Sequence, residues 1–129
     1  MPPPLVSFVS LGPGEGALRT ERAARRLEEA DVVLQDGDGA TAERVIELAR
    51  AGRRVARAVA GEAFESPDAI ALAREVARAG VPIEVVPGVG ARGAAAAFAG
   101  VLGRAVRVPA DGVIAAVAGE PPESPITLI

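Results

Sequence analysis

Apolar positions along the chain fall into short runs, each closed by a glycine-bearing polar stretch. Leu5 to Leu11 carries Val6, Phe8, Val9 and Leu11 and reads as a first strand. Thr20 to Ala30 has helical spacing, with Ala23, Leu27 and Ala30 on one face and Thr20 placed as its cap. Arg22, Arg25, Arg26, Glu28 and Glu29 fall mostly off that face and are expected to form a solvated surface. Asp31 to Leu34 reads as a short buried strand, and Thr41 to Ala51 as a helix with Val45, Leu48 and Ala49 inward. Ser66-Pro67-Asp68 starts another helix, with a capping serine, a proline at the first position and an acid in the first turn.

A unit then repeats. Glu47-Leu48-Ala49-Arg50-Ala51-Gly52 is echoed by Glu75-Val76-Ala77-Arg78-Ala79-Gly80, each a helix tail ending in a glycine suited to a left-handed cap. A β-branched run follows each tail, Arg54 to Val59 and Ile83 to Val86, and another glycine, Gly61 or Gly88, leaves each run. Val113 to Val117 reads as the last strand. The alanine-rich stretch from Gly93 to Gly103 reads as a helix buried in its own sheet, or else as a smooth docking face.

This alternation implies an α/β fold: a single three-layer domain with a mostly parallel sheet of about five strands and helices on both faces. Residues 1–119 are expected to form it, and residues 120–129, rich in proline, a tail. Ligands of such sheets bind outside the carboxyl ends of the strands. Those ends carry Gly12-Pro13-Gly14, Gln35-Asp36-Gly37, Ala60-Gly61-Glu62 and Pro87-Gly88-Val89. Glycine there serves the turn itself, or admits a ligand to the main chain where a Cβ would block it.

Composition narrows the chemistry. Half of the 129 residues are apolar, yet only 3 are Phe and none is Trp or Tyr, so small aliphatic side chains must make the core. With no Cys there is no disulfide or thiolate metal site, and with no His the usual general base and most zinc sites are excluded; no metal is expected. A net charge of −3 gives no reason to expect a nucleic-acid partner. The longest uncharged stretch, Gly93 to Gly103, is too short to span a bilayer, and Met1-Pro2-Pro3-Pro4 lacks the basic start of a signal peptide. A soluble, cytoplasmic protein without a membrane partner is the expectation.

No Gly-Lys-Ser/Thr follows the first glycines, so a P-loop is excluded. A dinucleotide fingerprint comes nearer: Gly12, Gly14 and Gly16 follow a strand, and Asp36 ends the next strand about 20 residues on, where a ribose-binding acid would sit. The third glycine is one residue early, however, and Pro13 removes an N–H that should greet a pyrophosphate. The turn suits a ligand that packs on it better than a phosphate. A different nucleotide-binding α/β domain remains the alternative.

Val9-Ser10-Leu11-Gly12-Pro13-Gly14, Thr20, and Ala30-Asp31-Val32-Val33-Leu34-Gln35-Asp36 together resemble the start of the tetrapyrrole methylases, in particular the uroporphyrinogen-III C-methyltransferases of sirohaem and cobalamin synthesis. The likeness continues in order through Ala49 to Val55, Gly61-Glu62-Ala63-Phe64, Val85 to Val89, Ala97 to Val101 and Val117-Ala118-Gly119. It implies a fold of two α/β domains holding S-adenosylmethionine (SAM) between them, and methyl transfer to a tetrapyrrole carbon, with sirohaem or cobalamin as the end product. By resemblance, Pro13 packs on SAM, Ala60, Gly61 and Glu62 contact it through their main chain, Gly90 and Ala91 flank it, and Asp36 is the proton acceptor.

The chain also departs from the family pattern. The usual Gly-Gly-Asp-Pro-Phe reads Ala60-Gly61-Glu62-Ala63-Phe64, Tyr-Asp-Arg reads Gln35-Asp36-Gly37, and the Thr after Pro-Gly-Val is Gly90. A helix-and-strand segment bearing the family's Lys is missing between Asp36 and Arg53, and the sequence stops where the second domain would begin. The expectation is a partial methyltransferase-like domain that needs a second copy, as a homodimer, or a partner protein to act. The alternative within the same fold is a non-catalytic interaction module.

Overall fold

The structure, a computed structural model, describes residues 4–14, 16–99, 106–107 and 114–115. In chain order the elements are β1 (Val6–Ser10), α1 (Glu21–Glu29), β2 (Val32–Leu34), α2 (Ala42–Arg50), β3 (Val55–Val59), α3 (Pro67–Arg78), β4 (Ile83–Val86), α4 (Ala91–Ala99), β5 (Val106–Arg107) and β6 (Ile114–Ala115). Short 3₁₀ turns at Gly16–Leu18 and Ala63–Glu65 follow β1 and β3. The chain divides into two compact units, Met1–Val89 and Gly90–Ile129.

In the first unit the four strands are parallel, in the order β2-β3-β1-β4. Every residue of β1 and β3 is buried, because both strands are interior and both sheet faces are covered. The covering helices sort by side-chain parity. Val9, Ala56 and Val86 face α1, where Ala23, Leu27 and Ala30 pack as the helical spacing predicts. Val6, Phe8, Leu34 and Val55 face the other way, against Val45 and Ala49 of α2 and Leu72, Ala73 and Val76 of α3. Phe8 is fully buried at the centre of that cluster, a burial worth about 1.5–3 kcal/mol.

The helix punctuation behaves as the sequence indicates. Thr20, Thr41 and Ser66 each accept a hydrogen bond from the backbone N–H three residues on, satisfying a donor that α1, α2 or α3 would otherwise orphan. Gly52 and Gly80 take φ of 81° and 85° just past α2 and α3, the left-handed cap expected of both repeats.

Two expectations are corrected in this unit. β2 is not fully buried: it is an edge strand of three residues, and Val33 is 40% exposed because no neighbour covers its outer side. Arg26 does not lie on a solvated face. It reaches Glu84 of β4, bonding Oε1 through Nε and lying 3.5 Å from Oε2 through Nη2, while Ser7 Oγ donates to Oε1 at 3.0 Å. A polar cluster of Arg26, Glu84 and Ser7 therefore forms between α1 and the sheet, where a solvated surface was expected.

In the second unit α4 spans Ala91–Ala99, within and ahead of the expected helix. Ile114–Ala115, part of the run expected as the last strand, pairs antiparallel with Val106–Arg107 in a separate two-stranded sheet. The expected tail, residues 120–129, lies outside the described residues. No helix among the described residues is long and apolar enough to cross a membrane.

Candidate functional site

The strand order defines where a ligand would meet the first unit. β1 and β3 are neighbours, but the chain leaves β1 toward α1 on one face and leaves β3 toward α3 on the other. Adjacent parallel strands whose connections part in this way leave a crevice beyond their carboxyl ends. The corner after β1 is Gly12-Pro13-Gly14, and the corner after β3 is Ala60-Gly61-Glu62.

The two corners are stitched together. Gly12 N–H donates to Gly61 O at 3.0 Å, and Gly61 N–H donates to Gly12 O at 2.8 Å. Leu11 N–H donates to Val59 O at 2.8 Å, so the ladder between β1 and β3 runs on into the corners. Both glycines sit at positive φ, 79° for Gly12 and 72° for Gly61, which an L-residue adopts only under strain.

Ser10 joins a third corner to these two. Its buried Oγ accepts from Ala63 N–H at 2.8 Å, fixing the turn that follows Glu62. On its other side it lies against Gly88, where a Cβ would stand 2.6 Å from Ser10 Cβ. A Cβ on Gly12 would likewise come 3.1 Å from Leu18 O. Gly12 and Gly88 are therefore glycine because the corners pack on one another. Gly14, at φ 106° with nothing within 4 Å, is the glycine of the first corner that faces open space, beside half-buried Pro13.

The expected residues are distributed as follows. Pro13, Ala60, Gly61 and Glu62 come together on the paired corners; Ala60 is exposed. The Glu62 carboxylate turns back onto its own chain, where Oε2 accepts from Phe64 N–H at 2.9 Å and caps the 3₁₀ turn. Gly90 and Ala91 belong to the second unit, at the start of α4, where Gly90 O accepts from Ala94 N–H at 3.0 Å.

Asp36 lies on the same rim, in the turn after β2. Gln35 O accepts from Asp38 N–H at 3.1 Å, Asp38 Oδ2 accepts from Gln35 N–H at 2.9 Å, and Gly37 takes φ 87° at the position where a type II turn requires it. The Asp36 side chain is 80% exposed, and its Oδ1 accepts from Nη2 of Arg57. Arg57 is on β3, level with Phe8 and Leu34, and only 5% exposed. Sequence reasoning missed it by absorbing it into an apolar run; a lone cation inside a strand covered on both faces was the available signal.

An open cavity is found elsewhere. About 390 Å³ in volume, it lies at the amino ends of the strands between the tails of α2 and α3, and is lined by Leu5, Ala49, Val81 and Pro82. Arg50, the charged side chain in its wall, donates to Ala79 O at 3.3 Å. The cavity brings together no acid or base, so chemistry points to the glycine rim.

The first unit is a parallel α/β domain with paired glycine corners at a strand-order switch and an acid on the same rim, the place where ligands of such sheets are found. Its particular family follows from comparison. The family of Tetrapyrrole (Corrin/Porphyrin) Methylases matches residues 34–111, and the chain belongs to it.

The siroheme synthase of Pseudomonas fluorescens strain Pf0-1 is 32% identical over 125 residues, covering 74% of this chain and 27% of that protein. Siroheme synthase 1 of Halorhodospira halophila is 33% identical, covering 74% and 26%. The chain thus spans about a quarter of the length of these relatives.

Among solved structures, the uroporphyrin-III-C-methyltransferase of Thermus thermophilus matches with TM-score 0.69 at 32% identity, covering 78% of this chain and 57% of that one. A crystal of the Thermus thermophilus enzyme complexed with S-adenyl homocysteine matches with TM-score 0.59 at 31% identity, covering 66% and 45%. Cobalt precorrin-4 methyltransferase, a cobalamin biosynthetic enzyme, matches with TM-score 0.65 at 27% identity, covering 82% and 53%.

Proposed function

We propose that this chain is the cofactor-binding part of a SAM-dependent tetrapyrrole C-methyltransferase, acting on uroporphyrinogen III on a route to sirohaem or cobalamin. The observation that carries the reading is the pairing of Gly12 with Gly61, which sets Pro13 beside Ala60 and Glu62 on one rim of a tetrapyrrole methylase fold. In this reading Pro13 packs on the cofactor, and the main chain at Ala60, Gly61 and Glu62 borders it.

The corners suit such a guest. Open space over Gly14 lets an apolar or cationic body approach the backbone, and Pro13 offers a flat apolar surface without an N–H. Gly61 has already spent its N–H on Gly12, so its contribution is closeness of approach more than donation. SAM bound there supplies an electrophilic methyl group and leaves as S-adenosylhomocysteine. Asp36 takes at Oδ2 the proton that the methylated pyrrole carbon must lose. Ligand sites bury most of their guest, so in this reading a second copy or a partner protein supplies the opposite wall of the cleft.

Calorimetric titration of the full chain with SAM and S-adenosylhomocysteine tests the proposal. Saturable binding, with NMR shifts gathered at residues 12–14 and 60–62, is the expected result. Silence at millimolar ligand, with and without uroporphyrinogen, overturns it and leaves a non-catalytic module of the same fold.

A further inference from the structure

We propose that Arg57 is the positioning residue for Asp36: its buried guanidinium holds the exposed carboxylate of the rim so that one oxygen is fixed and the other is presented. The inference deepens the proposed function and rests on its assignment of Asp36 as proton acceptor.

The geometry is asymmetric. Arg57 is almost wholly buried, its stem in register with Phe8 and Leu34 in the main apolar face, whereas Asp36 stands out on a turn. Nη1 of Arg57 donates to Ala58 O on its own strand, and Nη2 donates to Asp36 Oδ1. Oδ2 of Asp36 has no hydrogen-bond partner among the described residues, and the side chain is 80% exposed. A carboxylate held by one oxygen only is arranged to accept a proton at the other.

The turn does not fix Asp36 by itself. Its own bonds run between Gln35 and Asp38, and bypass the Asp36 side chain. A short, exposed side chain with no partner samples several rotamers. Proton transfer needs the base within hydrogen-bond reach, and a misplacement of about 1 Å can cost about 100-fold in rate. Arg57 supplies that restraint from beneath the sheet.

A purely structural role accounts poorly for the arginine. Nε of Arg57 is buried without a hydrogen-bond partner among the described residues. A buried guanidinium placed for stability alone would use all its donors, and a well-packed apolar side chain would often serve as well. The head group is drawn toward Asp36 at the expense of Nε. Strand β3 ties this restraint to the cofactor corner, because Arg57 lies three residues before Ala60.

The test uses the full chain with Arg57→Met, Arg57→Lys and Asp36→Asn. Arg57→Met is expected to lower kcat for methyl transfer from SAM to uroporphyrinogen III about 10–100-fold, while KM for SAM stays within about twofold because Asp36 is outside the SAM-contacting set. Arg57→Lys should recover part of the loss, since an ammonium carries the charge but not the fork. Adding Arg57→Met to Asp36→Asn should lower kcat no further. An Arg57→Met protein that keeps wild-type kcat, or loses kcat and SAM affinity together in step with lost folded protein, overturns the proposal.

If the wild-type chain binds SAM but turns over no substrate, the proposed activity falls and ¹⁵N NMR of the Arg57 side chain still decides the pairing. Slow guanidinium rotation released by Asp36→Asn supports it. Rotation unchanged by Asp36→Asn overturns it.

Discussion

Gly88→Ala probes whether the corners of the rim are built by packing. Gly88 does not take a positive φ, so alanine brings no backbone strain, and the steric contact alone decides the outcome. The new Cβ would stand 2.6 Å from Ser10 Cβ and 3.5 Å from Ser10 O. Carbon atoms rest comfortably at about 3.5–4.0 Å, so something must move by about 1 Å.

Neither partner moves easily. Ser10 ends a strand paired on both sides, and its Oγ is committed to Ala63 N–H. Overpacking of this kind costs about 1–3 kcal/mol, offset by about 0.4–1 kcal/mol from the stiffer unfolded chain, for a net destabilisation of about 1.3 kcal/mol. Urea unfolding would show it as a fall in midpoint of about 0.6 M at an unchanged slope of about 2 kcal/mol/M. Ser10→Gly removes the opposing Cβ. On its own it should destabilise, because Ala63 N–H loses its acceptor, but combined with Gly88→Ala the two costs should fall short of additive by about 1 kcal/mol or more. A Gly88→Ala protein within about 0.5 kcal/mol of wild type, or strict additivity in the double variant, would refute the packing argument.

Ser10→Ala should cost about 1–3 kcal/mol in the same assay, since it strands a buried N–H while leaving the Cβ in place. Gly12→Ala forces a methyl toward Leu18 O at φ 79° and should cost about 1–2 kcal/mol or more, with faster hydrogen exchange at Gly61 N–H. Burial pushes the Glu84 carboxyl up, but the bonds from Arg26 and Ser7 and the charges of Arg26 and Arg22 outweigh it and hold the group below its ordinary 4.5. Its contribution is then complete above about pH 4.5 and is lost as pH falls through the lower native value, so Glu84→Gln should flatten the acid limb of stability against pH. An acid limb that Glu84→Gln leaves as steep as in wild type would contradict this.

Much of this molecule can be read from local chemistry. The caps at Thr20, Thr41 and Ser66 and the positive-φ glycines at Gly52 and Gly80 are set by residues within a turn of where they act, so the sequence shows them directly. The strand ends follow for the same reason. What escaped was set by partners far along the chain. Arg26 looks like a surface residue until β4 brings Glu84 beside it from 58 positions away, and Arg57 finds Asp36 across 21. The exposure of Val33 depends on strand order, which no run of residues declares. The roles of Gly12 and Gly88 were legible only as turn or ligand-approach glycines; the atoms that forbid a Cβ there belong to Leu18 and Ser10.

The reciprocal bonds between Gly12 and Gly61 have a mechanical consequence. Two peptides that each give and receive behave as one plate, so the corner bearing Pro13 cannot tilt without carrying Ala60 and Glu62 with it. Pressure from a visitor on either side is thereby felt along both β1 and β3 at once, and β3 is the strand that carries Arg57.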